Sequence, residues 1–337
     1  MPITLFPVNR RRFMAGTLGG AVSLLFHPVW GAESETHSQD VWAILSDTHI
    51  PGDRNKSGGN PAVKPVEHLS KIRRDILSGE IGKPCGLIVS GDCVYLHGLP
   101  DDYKTLLEEF EPFRQKGLPV HFVMGNHDNR QAFLNAVRNT VAPSTNKTIP
   151  PTGESILPTG ESILPTGENI PSTNETIPSR LHLVVETPKV NFFLLDSLDK
   201  TNHTPGFFGE EQLQWLTDEL DSRKDKPAIL VAHHNPDYSG NIVKAPGALQ
   251  DTNAFFERIR DRQQVKAYFY GHTHTWKTLR VSGIHMVNIP ATAWRFDQQQ
   301  PFAWVLLTLK DNGMSLTLRS IDPKHPKHNE IIDLSWR

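Results

Sequence analysis

Cysteine is nearly absent from this chain of 337 residues, which holds only Cys85 and Cys93. They flank the apolar run GLIVS, and extended chain of that length separates them by roughly 25 Å, beyond disulfide reach. A disulfide framework is excluded, and Cys93 reads as a small buried residue beneath a site. A charge excess is also missing. Lys and Arg total 35 against 37 Asp and Glu, a formal net charge of −2. No general basic field attracts nucleic acid, so no stable nucleic-acid partner is expected. Long apolar runs are lacking beyond the N-terminus. The stretch Ala15–Phe26 is short and softened by glycine, too short to span a bilayer. Two metallohydrolase signatures, H-E-x-x-H and H-x-H-x-D-H, do not occur.

Histidine, by contrast, occurs 16 times, and much of it falls in a pattern. Five short motifs each follow an apolar run. VWAILS leads to Asp47-Thr48-His49, GLIVS to Gly91-Asp92, and PVHFVM to Gly125-Asn126-His127-Asp128. PAILVA leads to His233-His234, and KAYFY to Gly271-His272-Thr273-His274. Such runs read as buried strands, which sets every motif at a strand C-terminal end, the edge where open α/β sheets build their sites. Asp, His and Asn ligands gathered there can hold two divalent metals, and such pairs hydrolyse phosphate esters.

The first 32 residues read as an export signal: Arg10-Arg11-Arg12-Phe13-Met14 resembles the twin-arginine pattern, and cleavage is expected after Ala32. Residues 38–337 are expected to form one large α/β domain, interrupted at 143–179 by an insertion. There PSTNKTI, PTGESIL, PTGESIL, PTGENI and PSTNETI recur nearly every seven residues. Each unit carries proline and one short apolar pair, so this is neither a coiled-coil heptad nor a solenoid repeat. It reads as a tandem expansion within a surface loop, which closure entropy tolerates. Helices are expected around Tyr103–Gln115, Arg130–Val141, Gly209–Lys224 and Ala254–Arg262, and Lys310–Gly313 reads as a hairpin turn.

The ordered set D-x-H, G-D, G-N-H-D, H-H and G-H-x-H resembles the calcineurin-like metallophosphoesterase superfamily, in its bacterial branch of class III cyclic-nucleotide phosphodiesterases and glycerophosphodiesterases. The resemblance runs from Val41 to Pro290. The chain departs from it at the heptapeptide repeat and at Asn235, where the family's H-H-P-P-like motif has proline. The resemblance implies a four-layer αββα sandwich with two mixed sheets. It assigns Asp47, His49 and His274 to a first metal, Asn126, His233 and His272 to a second, and Asp92 to a bridge between them. His127 would act on the scissile phosphate or the leaving oxygen, with Asp128 on its other nitrogen. The mixed N/O donor set suits Mn, Fe, Zn or Co.

The expected function is hydrolysis of a phosphodiester by a metal-bridging hydroxide, outside the cytoplasm. The expected partners are a small phosphate-ester substrate and the twin-arginine export machinery. The alternatives are a phosphomonoesterase with the same metals and a non-catalytic exported binding protein. Further candidates are Arg54 as a phosphate clamp, His203 as a substrate contact, and Phe207-Phe208 and Trp294-Arg295-Phe296 as a pocket frame.

Overall fold

Alternation of short apolar runs with amphipathic segments produces two sheets with helices on their outer faces. A computed structural model describes residues 4–5, 40–57, 63–80, 82–141, 179–237 and 247–337. In chain order the elements are β1 (Thr4–Leu5), β2 (Val41–Leu45), α1 (Pro65–Ser78), β3 (Leu87–Ser90), α2 (Pro100–Gln115), β4 (Val120–Val123) and α3 (Arg130–Val141). Then come β5 (Leu183–Glu186), β6 (Asn191–Leu194), α4 (Glu210–Ser222), β7 (Ala228–Val231), α5 (Thr252–Ile259) and β8 (Val265–Tyr270). The chain ends with β9 (Lys277–Val281), β10 (Ile284–Asn288), β11 (Ala303–Lys310), β12 (Gly313–Ser320) and β13 (Ile331–Ser335).

The first sheet runs in the order β1-β4-β3-β2-β11-β12-β13, and the second in the order β5-β6-β7-β8-β10-β9. Both are mixed: β2, β3 and β4 are mutually parallel while β11 joins β2 antiparallel, and β6, β7 and β8 are parallel while β5 joins β6 antiparallel. Side-chain alternation along the strands sorts the apolar residues into three cores. Ala43 and Leu45 face α1, α2 and α3 with Leu69, Leu106, Phe110 and Phe133. Trp42 and Ile44 point the other way and meet Phe192, Ile229, Phe269 and Val305 between the sheets. Phe193, Leu230 and Tyr268 leave the second sheet toward Leu213, Leu216 and Phe255 on α4 and α5. The result is the expected αββα sandwich. Full burial of each such side chain contributes about 1.5–3 kcal/mol.

The expected hairpin is present: β11 and β12 pair antiparallel with Lys310 opposite Gly313, which leaves Asp311-Asn312 as its two-residue loop. Two strands carried no apolar signal. β9 and β13 are sheet-edge strands whose side chains are half-buried or exposed, so nothing selects an apolar run there.

At the far edge of the first sheet, Thr4 and Leu5 pair with His121 and Val120. Most of the N-terminal segment read as a signal lies outside the described residues, as does the repeat. The repeat has no core-forming pattern, so replacing Pro143–Ile177 with a short Gly/Ser linker should leave folding and turnover of small substrates nearly unchanged. Thermal unfolding and a small-substrate assay check this; insoluble or inactive protein would give the repeat a structural role.

Candidate metal centre

The five motifs follow β2, β3 and β4 in one sheet and β7 and β8 in the other, so they meet where the C-terminal edges of both sheets converge. The backbone there is unusual. Asp47, His49, Asp92, His272 and His274 have φ of 53°, 45°, 46°, 66° and 52°, the left-handed region that costs a non-glycine residue about 1–3 kcal/mol. Cross-ties hold the turns in place. Asp47 N donates to Gly91 O (3.0 Å), His49 N to Asp92 O (2.9 Å) and Gly271 N to His233 O (3.0 Å). Ser90 Oγ joins the sheets by donating to Ala232 O at 2.6 Å. Two motif glycines are required for space. A Cβ on Gly125 would lie 2.2 Å from Asp92 N, and one on Gly271 would lie 1.9 Å from Ser46 Oγ.

Side-chain donors converge in three groups: Asp47, His49 and His274; Asp92, His233 and His272; and His49, Asp92 and His127. Asp92 belongs to two of these and joins the halves. Its Oδ2 is 3.3 Å from His233 Nε2 and 3.9 Å from His49 Nε2. Asp47 Oδ1 lies 3.1 Å from His274 Nε2, which lies 3.4 Å from His49 Nε2. The tautomer of His233 is set from behind, where its Nδ1–H meets Ser90 O at 2.8 Å.

The donor set fits cations. Asn126 Oδ1 is buried without a hydrogen-bond partner, an orphan that costs about 1–3 kcal/mol, while Asp47 Oδ1 and His233 Nε2 have only the carboxylate–imidazole contacts just described. Among the described residues, the ion pairs of Asp47 and Asp92 are all with histidines. Within this described set, imidazolium or a metal would supply the positive charge. Burial alone would raise the Asp47 carboxyl, but His274 and His233 overcome this and hold it down to about 2. Burial would lower His233, but Asp92 and Asp47 push it up to about 9. A proton on His233 thus occupies the place a cation would take.

His127 is half-buried beside this cluster, with Nε2 3.9 Å from Asp92 Oδ2. Its Nδ1 is held by Leu96 O at 2.9 Å. Asp128 was expected on that nitrogen, and here the structure differs. Asp128 Oδ2 accepts from Gly125 N (2.8 Å) and Cys93 N (3.1 Å), and its Oδ1 accepts from Tyr103 OH at 3.2 Å. Its side chain points back to brace the β3 and β4 loops. Burial, then the charge of Asp92, raises its carboxyl to about 7. No sequence signal marks a backbone carbonyl such as that of Leu96.

The remaining candidates separate. His234 meets Ser197 Oγ through Nδ1 at 2.8 Å, and does not join the donor groups. Arg54 is paired with Glu108 and Glu109. His203 is half-exposed, 3.9 Å from Asp199, in a loop tied to the site where Asn202 N donates to Asn126 O at 2.6 Å. Phe208 is core, packed on Phe255 at 5.0 Å. Cys93 is buried beside Val123 O, and the two cysteines form no disulfide. Trp294 and Phe296, however, do lie on the site, stacked on His49 and His274.

Comparison with known proteins agrees with this geometry. A glycerophosphodiester phosphodiesterase, GpdQ, of Enterobacter lignolyticus is 22% identical over 257 residues, 74% of this chain and 76% of the relative. A cAMP/cGMP dual specificity phosphodiesterase of Mycobacterium tuberculosis is 26% identical over 258 residues, 75% of this chain and 67% of the relative. Among solved structures, a dimetal phosphatase from Danio rerio superposes with a TM-score of 0.58 at 14% identity, covering 88% of this chain and 99% of its own, which speaks for a shared fold. The sequence pattern of the calcineurin-like phosphoesterases matches residues 42–276. This span holds all five motifs and both motif-bearing halves of the sandwich, and the chain belongs to that family of dimetal phosphoric ester hydrolases.

Proposed function

We propose that this chain is an exported phosphodiesterase. The observation that carries the reading is the convergence of Asp47, His49, Asp92, His233, His272 and His274, with His127 alongside. Asp47, His49 and His274 would hold one metal and Asn126, His233 and His272 the other, with Asp92 shared. Mn, Fe, Zn or Co suits these mixed nitrogen and oxygen donors. Bound there, two cations would acidify shared water and neutralise the phosphoryl oxygens.

The chain's own residues do the rest. Asp92 ties the two halves together, and its Oδ1 also accepts from His127 N at 2.9 Å. Leu96 O orients the His127 ring so that Nε2 faces Asp92. From there Nε2 would deliver a proton to the departing alkoxide. Asp128 keeps the Gly125 and Cys93 turns in register and so positions His127 indirectly.

The diester preference rests on the rim and on the relatives' names. A monoester dianion brings a second charge to neutralise. Arg54, the arginine expected near it, is already bound to two glutamates, and the rim over His49 and His274 is aromatic. Metal-reconstituted mature protein assayed on matched aryl phosphodiester and phosphomonoester substrates tests this. Higher kcat/KM for the diester is expected; a clear monoester preference contradicts it.

Export rests on Arg10-Arg11-Arg12 and the short apolar stretch after them. Cleavage after Ala32 would remove β1, a two-residue edge strand. Outside the cytoplasm, nutrient scavenging or envelope remodelling suits the enzyme better than a cytoplasmic messenger. Replacing the three arginines with lysine keeps their charge but removes the guanidinium groups that the export receptor reads. The expected result is an active, metal-loaded precursor retained in the cytoplasm. Unchanged export of the lysine variant contradicts the route.

A further inference from the structure

Two aromatic residues, two positions apart, cap one side of the metal centre. Trp294 lies on His49 with ring centroids 4.1 Å apart and planes 22° apart. Phe296 lies on His274 at 4.4 Å and 13°. The two histidine rings are 5.3 Å apart and tilted by 55°, so two stacked pairs stand side by side at the site. Trp294 also meets Tyr95 edge-on at 5.4 Å and stands 6.5 Å from the His127 ring. Trp294 therefore borders the side on which His127 would protonate a leaving group.

Phe296 is 77% exposed, the most exposed large apolar side chain among the described residues. Its nearly parallel contact with His274 occupies one ring face. The exposure therefore falls on the opposite face, which is open to solvent at the edge of the site. A ring already stacked on one face offers its other face to a second ring in the offset or parallel geometry that aromatic pairs prefer. A scattered surface phenylalanine would need no explanation, but this one lies parallel to a histidine of the donor groups.

We propose that Phe296, on the same rim as Trp294, is a specificity-determining platform for phosphodiesters whose leaving group carries a flat aromatic ring. The leaving-group side of this statement rests on the phosphodiesterase reading above. The stacking itself does not, because it is measurable as binding alone. A purely bracing role for Phe296, holding His274 in place, would weaken all substrates equally.

The test compares rings of similar size and different flatness. Metal-loaded wild-type, Phe296→Leu and Phe296→Trp proteins are assayed on methyl benzyl phosphate and methyl cyclohexylmethyl phosphate. In parallel, calorimetry measures their affinity for the corresponding non-hydrolysable benzyl and cyclohexylmethyl phosphonates. Wild type should favour the benzyl compound in both kcat/KM and affinity by about tenfold, the upper end of an aromatic pair's contribution. Leucine keeps apolar bulk without a flat face and should erase this preference, while tryptophan should retain it. Loss of affinity for both phosphonates in equal measure, or a preference that survives in the leucine variant, overturns the platform. If neither ester is hydrolysed but the benzyl phosphonate binds in a Phe296-dependent way, the phosphodiesterase reading fails and the platform stands.

Discussion

Asp92→Asn should abolish turnover and strip metal from the protein. Asp92 is the one carboxylate shared by two of the donor groups, one through His49 and the other through His233 and His272. Asparagine preserves the shape and can still accept from His127 N, so the loops should keep their positions. What disappears is the negative charge that offsets the repulsion between two cations roughly 3.5–4 Å apart. The expected rate loss is at least about 10³-fold, the upper end for removal of one electrostatic group acting in the transition state. Elemental analysis should find fewer than two metals per chain. A variant that keeps two metals and a near-normal rate would show that Asp92 does not bridge.

His127→Ala should separate proton transfer from metal binding. The ring is held by Leu96 O at 2.9 Å and is a weaker fit to the donor groups, with Nε2 3.9 Å from Asp92 Oδ2. Both metals should remain while the rate falls about 10²–10⁴-fold, the range for a positioned proton donor. The loss should be smaller for a nitrophenolate leaving group, which departs without protonation, than for an alkoxide. Metal loss in this variant, or an equal penalty on both leaving groups, would make His127 a ligand or a structural residue instead.

Much of the fold was legible because one device recurs: a buried apolar strand that ends in polar, ligand-capable residues. VWAIL, LIVS, VHFV, AILV and VKAYFY all became strands. Parallel pairing within each sheet and the packing of the two sheets bring residues as distant as Asp47 and His274 within 3.1 Å. Edge strands β9 and β13 were invisible because their side chains are not selected for burial.

At the site, residue types were legible and orientations were not. G-N-H-D places Asp128 next to His127, but the turn sends its carboxylate toward Gly125 N and Cys93 N. A carbonyl from the Leu96 turn fills the vacated role, and its φ of 37° reflects the same tight loop. Trp294 and Phe296 stood out as aromatic residues near the end of the match. Only the structure shows that both lie flat on histidines of the donor groups.

The most direct test of the dimetal centre is electron paramagnetic resonance of the mature protein loaded with Mn²⁺, with metal content measured on the same sample. Two ions held by Asp47, His49 and His274 on one side and by Asn126, His233 and His272 on the other, joined through Asp92, should give two manganese per chain. They should also give an exchange-coupled spectrum at low temperature, because the carboxylate holds them a few ångströms apart. A single manganese per chain, or two with the six-line spectrum of isolated ions, would contradict the bridged centre.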